Sequence, residues 1–403
     1  MRVKISAGHA RGEVYAPPSK SMAHRLLILA AMSGGVCRVH GTADCDDVRA
    51  TVDCLGSLGI GTHADGDTLT VFGRDFRTLT PHSPLLCRES GSTLRFLIPP
   101  ALISGNETIF RGEPQLMRRP MGIYEDICKG HGLAFRRGDG KIEVCGPLLP
   151  GEYTLPGDVS SQFVSGLLFA LPVLPGNSVI RISGRIESRS YIGLTLRALA
   201  AFGIRAAWRD ERTIDVPGGQ TPCAGDVYVE GDWSGAAFVD ALNLFGSDVT
   251  LRGLDPESAQ GDKVYRQHFA ALSRGVPVIH IGDCPDLGPV LFAVAAAKHG
   301  GIFTGTRRLK IKESDRAAAM CEELAKFGCL LDVREDSVIV YPREFHAPTE
   351  ALLGHGDHRI VMALSVLLTI TGGELDGAEA VAKSYPGFFA DLRALGIKVD
   401  TES

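Results

Sequence analysis

One pattern recurs along the 403 residues and constrains the fold more than any other feature: an amphipathic stretch, a glycine, a short alternating run, a polar turn and a second alternating run. The marker glycines are Gly59, Gly132, Gly203, Gly275, Gly328 and Gly396, spaced 73, 71, 72, 53 and 68 apart. A period near seventy residues is one supersecondary unit repeated, and six such units fill the chain. In LGSLGIGTHADGDTLTVFG and CKGHGLAFRRGDGKIEVCG the turns are Asp65-Gly66 and Asp139-Gly140, the dipeptide that most favours a tight hairpin. Before each marker, apolar residues fall at helical spacing, as in Leu196, Leu199, Ala200 and Gly203. That spacing predicts a helix with one buried face, ended by a left-handed glycine. The fourth unit, around Gly275, departs from the rest, because its expected hairpin is interrupted by IGDCPDLGP.

A single core rarely grows past about 250 to 300 residues, so this length predicts two domains with three units each. The expected class is α/β, with helices inside, sheets facing outward and a site in the cleft between the two triplets. With 44% hydrophobic and 22% charged residues the chain is neither disordered nor fibrous. A net charge of −5 gives no general attraction to nucleic acid or acidic membrane, so an anion site has to be built locally. The first eleven residues carry Arg2, Lys4 and His9 instead of an apolar signal region, and the apolar runs 167–174 and 360–370 are too short to span a bilayer. Ten cysteines without a CxxC pair read as reduced thiols of a cytoplasmic protein.

Several segments concentrate donors at expected helix starts. Pro17-Pro18-Ser19-Lys20-Ser21-Met22-Ala23-His24-Arg25 opens an apolar run, and the free N–H groups of such a start hold anions, with Ser21 and Arg25 on one face. In Glu89-Ser90-Gly91-Ser92-Thr93-Leu94-Arg95, Gly91 lets a ligand approach the backbone. Of the adjacent Arg118 and Arg119, the second, held by Pro120, is the one expected to fork onto a carboxylate or phosphate. Asp158-Val159-Ser160-Ser161-Gln162 offers two hydroxyls and an amide, which a capping arrangement alone would also explain. Lys312 and Arg316 flank Glu313 at i, i+4 spacing, and Cys284-Pro285-Asp286-Leu287, Gly356-Asp357-His358-Arg359 and Ala382-Lys383-Ser384-Tyr385-Pro386 complete the set. His355 and His358 lie three apart with no third ligand recurring nearby, so no metal is expected. The many cations set against Asp286 and Glu313 suit a multiply anionic small substrate. No GxxxxGK[ST] loop occurs and no GxGxxG follows the first strand, which disfavours ATP and NAD.

Taken in order, PSKSMAHR, ESGSTLR, GEPQLMRRP, SSQF, PD, KESDR, GDHR and AKSYP resemble the 5-enolpyruvylshikimate-3-phosphate synthases over essentially the whole chain. The resemblance implies a two-domain inside-out α/β barrel of six βαβαββ units, with residues 1–18 and 229–403 in one domain and 19–228 in the other. It also implies transfer of the enolpyruvyl group of phosphoenolpyruvate to the 5-hydroxyl of shikimate 3-phosphate, with release of phosphate, on the shikimate route to chorismate and aromatic amino acids. No cofactor, metal, nucleic acid or membrane enters, and a monomer is expected. Carried over position by position, Lys20, Gly91, Arg119, Gln162, Arg316, Arg359 and Lys383 match the phosphoenolpyruvate contacts. Lys20, Ser21, Arg25, Ser160, Ser161, Gln162, Ser188, Asp286 and Lys312 match those to shikimate 3-phosphate, with Tyr191 near its ring. Asp286 matches the proton acceptor and Glu313 the proton donor, with Lys20 sharing the proton work.

Glu89 and Arg308 stand where that family usually has Asn; either these extra charges of opposite sign alter affinity in the cleft, or Arg308 turns outward. Gly91 resembles the glyphosate-sensitive members, so inhibition by glyphosate is expected. Two alternatives compete. The related enzymes that transfer enolpyruvyl to UDP-N-acetylglucosamine use a Cys in the loop before the Arg-Pro, where this chain has Glu113-Pro114-Gln115-Leu116-Met117. A non-catalytic anion- or RNA-end-binding protein would have no use for Asp286 and Glu313 beside the cations, and the net charge does not favour RNA.

Overall fold

Five four-stranded sheets share one topology in the computed structural model, which describes residues 1–402. In one of them Leu85–Leu86 pairs parallel with Thr108–Arg111, which pairs antiparallel with Lys141–Cys145, which in turn folds back on Ala134–Gly138. The turn residues Asp139 and Gly140 both have positive φ, 51° and 69°, as the tightest hairpin turns require. The sixth sheet has two strands only, Arg11–Tyr15 parallel to Asp248–Arg252.

That short sheet belongs to the irregular fourth unit. Gly59, Gly132, Gly203, Gly328 and Gly396 have φ between 69° and 91°, the left-handed geometry that ends a helix, whereas Gly275 is not among the positive-φ residues. The expectation of an interrupted hairpin is corrected, because among the described residues no hairpin follows Gly275. Pro277 cannot donate to a hairpin ladder, and Val278–His280 instead pairs parallel with Gly301–Thr304 and begins the next sheet. IGDCPDLGP is thus the turn between that strand and the helix Gly288–Ala297, with Asp286 in the single turn Pro285–Leu287.

By contacts the chain divides into one unit of Met1–Pro17 with Gly231–Ser403 and another of Pro18–Glu230. The strands beside the two crossings trade places. Arg11–Tyr15 precedes the helix Lys20–Met32 in sequence but pairs in the first unit, while Asp226–Tyr228 pairs parallel with Val36–His40 in the second. The last sheet of the first unit is completed by the N-terminus: Arg2–Ile5 lies between Gly373–Asp376 and Val399–Glu402, and Arg2 forks onto Asp376 with both bonds at 2.6 Å.

Within each unit, one helix per repeat is buried nearly all round. They are Lys20–Met32, Gly91–Ala101 and Ser161–Ala170 in the second unit, and Trp233–Asp240, Gly288–Ala297 and His358–Thr371 in the first. Their sequences explain this, since GPVLFAVAAA has no polar face to offer water. The sheets keep one solvent face, as in Ser178–Ser183, where Ile180 and Ile182 are buried and Arg181 is exposed. The helix Arg189–Ala201 is turned from its expected phase. It buries Ile192, Leu194, Thr195, Ala198 and Leu199, Leu196 is half-buried and Ala200 is exposed. A polar Thr195 on the inner face had disguised the stripe. All ten cysteines are free, and among the described residues no helix is long and apolar enough to cross a membrane.

Candidate active site

In the second unit, Ser19 caps the helix Lys20–Met32 by accepting from Met22 N at 3.4 Å. Lys20 Nζ donates to Asp47 Oδ2 at 2.8 Å, an ion pair nearly closed to solvent. Arg25 is 2% exposed and donates to Thr195 Oγ1 at 2.8 Å, to the Ser21 carbonyl at 2.5 Å and to the Tyr191 carbonyl at 3.1 Å, with its guanidinium 4.9 Å over the Phe96 ring. Each of those acceptors is neutral. Burial therefore pushes the Arg25 pKa down to about 9. A buried cation whose partners are all neutral gains from an anion arriving beside it.

Ser90 caps the helix Gly91–Ala101, accepting from Thr93 N at 3.2 Å. A Cβ placed on Gly91 would lie 2.8 Å from Arg119 Nη1, 3.7 Å from Arg95 Nη1 and 3.8 Å from Gln162 Oε1, so these three groups meet over the glycine. Gln162 is oriented from two sides, accepting from Arg95 Nη1 at 2.8 Å and donating to Ser92 Oγ at 2.9 Å. Arg118 is exposed and Arg119 half-buried. Ser160 caps the helix Ser161–Ala170, accepting from Gln162 N at 3.3 Å, and Ser161 is buried. Ser188 is buried in left-handed backbone, φ 56°, before the helix Arg189–Ala201, and its side chain does not cap it.

The first unit collects the carboxylates. Asp286 Oδ1 accepts from Lys312 Nζ at 3.1 Å and Arg316 Nη1 at 2.8 Å, and Oδ2 lies 3.6 Å from Arg359 Nη2. Arg316 also donates to Glu313 Oε2 at 2.9 Å and from Nε to Asp357 Oδ2 at 2.8 Å. Asp357 caps the helix His358–Thr371, accepting from Arg359 N at 2.9 Å, and takes a further bond from Ser314 Oγ at 3.1 Å. Lys383 is buried at the end of the turn Ala378–Lys383.

The electrostatics follow from these distances. Burial opposes ionisation of Asp286, yet Lys312, Arg359 and Arg316 outweigh it and hold the carboxyl well below the usual range. Burial lowers Lys312, with Arg316 and Arg308 reinforcing that effect and Asp286 and Glu313 resisting it. For Arg316 burial is overcome by Asp357, Glu313 and Asp286, and its pKa is raised.

Of the two readings of Arg308 the outward one is excluded, since the residue is 6% exposed. The turn Arg307–Ile311 has a period of three, which puts Arg307 and Lys310 outside and rotates Arg308 inward with Leu309. His355 also acquires neighbours invisible in sequence, since ligand atoms of Glu322, Glu323 and His355 lie within 4.8 Å of one another. Sequence reasoning passed over Asp47, Asp357 and Thr195 as partners of the cations. Asp357 had a readable signal, a capping Asp just before an apolar run, whereas Asp47 looks like any acidic residue in a first helical turn.

An α/β unit with a buried guanidinium among neutral acceptors, and another with cations gathered round an ionised carboxylate, define a class: enzymes acting on small, multiply anionic substrates. The comparisons specify it. The chain matches the family described as EPSP synthase (3-phosphoshikimate 1-carboxyvinyltransferase) over residues 6–276 and 270–392. It is 38% identical to a 3-phosphoshikimate 1-carboxyvinyltransferase of Clostridium kluyveri, covering 99% of this chain and 98% of that protein. It is 36% identical to one of Clostridium botulinum strain Alaska E43, covering 98% and 97%. An EPSP synthase structure from Acinetobacter baumannii superposes with a TM-score of 0.81 at 23% identity, covering 99% of this chain and all of that one, and shows the shared fold. The chain belongs to the EPSP synthase family.

Proposed function

We propose that this protein transfers the enolpyruvyl group of phosphoenolpyruvate to the 5-hydroxyl of shikimate 3-phosphate and releases inorganic phosphate. The observation that carries the reading is Asp286, a carboxylate held ionised among Lys312, Arg316 and Arg359. A proton from Glu313 or Lys20 adds to the methylene carbon of phosphoenolpyruvate and leaves C2 electrophilic. Asp286 takes the hydroxyl proton as the oxygen bonds to C2. The tetrahedral adduct then loses a proton from its new methyl group while the C2–O bond to phosphate breaks, which restores the double bond and frees phosphate. Arg316, Arg359, Lys383, Lys20, Gly91, Arg119 and Gln162 are assigned to phosphoenolpyruvate. Ser21, Arg25, Ser160, Ser161 and Ser188 are assigned to shikimate 3-phosphate together with Lys20, Gln162, Lys312 and Asp286. The neutral surroundings of Arg25 support a phosphate there, because a dianion would supply the charge that its protein partners lack.

The test is phosphate release from phosphoenolpyruvate with either shikimate 3-phosphate or UDP-N-acetylglucosamine as acceptor, in the parent protein and in Asp286→Ala and Glu313→Ala. Release with shikimate 3-phosphate alone, strongly reduced in both variants, is expected. Release with the nucleotide sugar, or with neither acceptor, overturns the reading.

A further inference from the structure

One buried carboxylate has no part in the proposed chemistry and is nonetheless fully engaged. Glu323 lies two turns along the helix Arg316–Ala325 from Arg316 and is wholly buried. Its Oε2 accepts from Leu353 N at 2.9 Å and Lys326 Nζ at 3.0 Å, and its Oε1 from His355 Nε2 at 2.9 Å and Lys326 Nζ at 3.2 Å. Lys326 Nζ donates also to the Ala351 carbonyl at 3.2 Å. Four bonds occupy the roughly four lone-pair directions of a carboxylate, so Glu323 is committed to protein donors and not held open for a metal with Glu322.

Leu353 and His355 belong to the stretch that runs directly into Asp357 and Arg359. It bends sharply, with φ of 51° at His355 and 64° at Gly356, and closes with a bond from Asp357 N to the Gly354 carbonyl at 2.9 Å. A non-glycine residue keeps left-handed backbone only where its surroundings over-determine it. The bond from His355 Nε2 to Glu323 supplies that constraint. One helix therefore holds this corner at both ends, through Glu323 to Leu353 and His355 and through Arg316 to Asp357.

We infer that Glu323 is a positioning residue: by fixing the corner from Leu353 to Asp357 it sets the direction of Arg359 and Arg316, and with them the affinity for phosphoenolpyruvate. The inference rests on the function proposed above. It is tested by steady-state kinetics and thermal unfolding of Glu323→Gln and His355→Gly. His355→Gly removes the bond to Glu323 while giving the positive φ to the residue that adopts it freely, so the fold is not strained. In both variants the KM for phosphoenolpyruvate is expected to rise about tenfold, the scale of one lost hydrogen bond to a charged group, with a smaller change in kcat. The KM for shikimate 3-phosphate is expected to change less, by about twofold to threefold, since Asp286 keeps its bond from Lys312, which the corner does not touch. An unchanged KM for phosphoenolpyruvate in His355→Gly, or a lower melting temperature in Glu323→Gln with KM unaltered, overturns the inference and leaves the pair a purely structural role. The parent protein in the same assay separates the two claims. An inactive parent overturns the proposed function and this inference together, whereas an active parent with unaffected variants overturns this inference alone.

Discussion

Arg25 in the second unit and Arg316 in the first are both buried helical arginines, and their surroundings are opposite. Arg25 donates to a hydroxyl and two carbonyls, while Arg316 is shared among Asp286, Glu313 and Asp357. Burial wins at Arg25 and lowers its pKa to about 9, whereas carboxylates win at Arg316 and raise it. The first unit thus neutralises its own charges and holds them in place, and the second keeps a cation whose counter-charge the protein does not supply. Preorganisation and readiness for an anion are built by different neighbours around the same side chain.

The largest effect that sharpens this contrast is on turnover. Asp286→Asn keeps the shape and removes the proposed proton acceptor, and kcat for phosphate release is expected to fall about 10²- to 10⁴-fold. Unchanged turnover would move the base elsewhere. Next comes stability. Arg316→Met leaves the buried Asp357 and the partly buried Asp286 and Glu313 without their shared cation and is expected to cost about 3–5 kcal/mol, read by denaturant unfolding. Arg25→Met strands little, because Thr195 Oγ1 keeps its bonds to the Tyr191 carbonyl and Ser165 Oγ. That variant is expected within about 1 kcal/mol of the parent, while its KM for shikimate 3-phosphate rises about 10- to 100-fold. Equal destabilisation by the two substitutions would break the comparison.

The pH dependence separates the two units further. Asp286 is more acidic folded than unfolded, so its contribution to stability is complete above about pH 4 and is lost as the pH falls toward the folded value. Arg25, lowered in the fold to about 9, penalises the folded state below that pH. Its penalty fades as the pH rises from there toward the ordinary arginine value of the unfolded chain. Unfolding midpoints across pH for the parent, Asp286→Asn and Arg25→Met would show the acid loss diminished in the first variant and the alkaline relief absent in the second. The smallest effect is expected at Gly91. An added methyl would press on the flexible end of Arg119 at 2.8 Å, so Gly91→Ala should raise the KM for phosphoenolpyruvate by a few-fold, about 1 kcal/mol of binding, with the melting temperature unchanged.

Much of the site could be read at the level of segments. Ser19, Ser90 and Ser160 cap helices where Ser stands before an apolar run, and the residues beside them, Lys20, Gly91 and Gln162, inherit their places from those caps. The pairings were harder. Nothing near Lys20 points to Asp47, and nothing near Arg316 says that its Nε reaches a carboxylate 41 residues on. The direction of Arg308 was not legible, because a single turn with a period of three reverses which cation faces inward.

Local physics lies behind what the sequence determined by itself. A positive-φ glycine ends a helix, an Asp-Gly turn makes a hairpin and an all-apolar run must be buried, whatever the distant chain does. These rules define five regular units with their helix ends, and the donor-rich starts. Only the tertiary structure decided that Arg11–Tyr15 and Asp226–Tyr228 trade sheets, that Gly275 has no hairpin after it and that the N-terminal strand closes the last sheet. It alone decided that Glu323 holds the corner before Asp357. A strand edge offers the same donors and acceptors to any partner, and a buried charge takes whichever counter-charge packing brings within reach. Such choices are settled by the competition of many elements for one core.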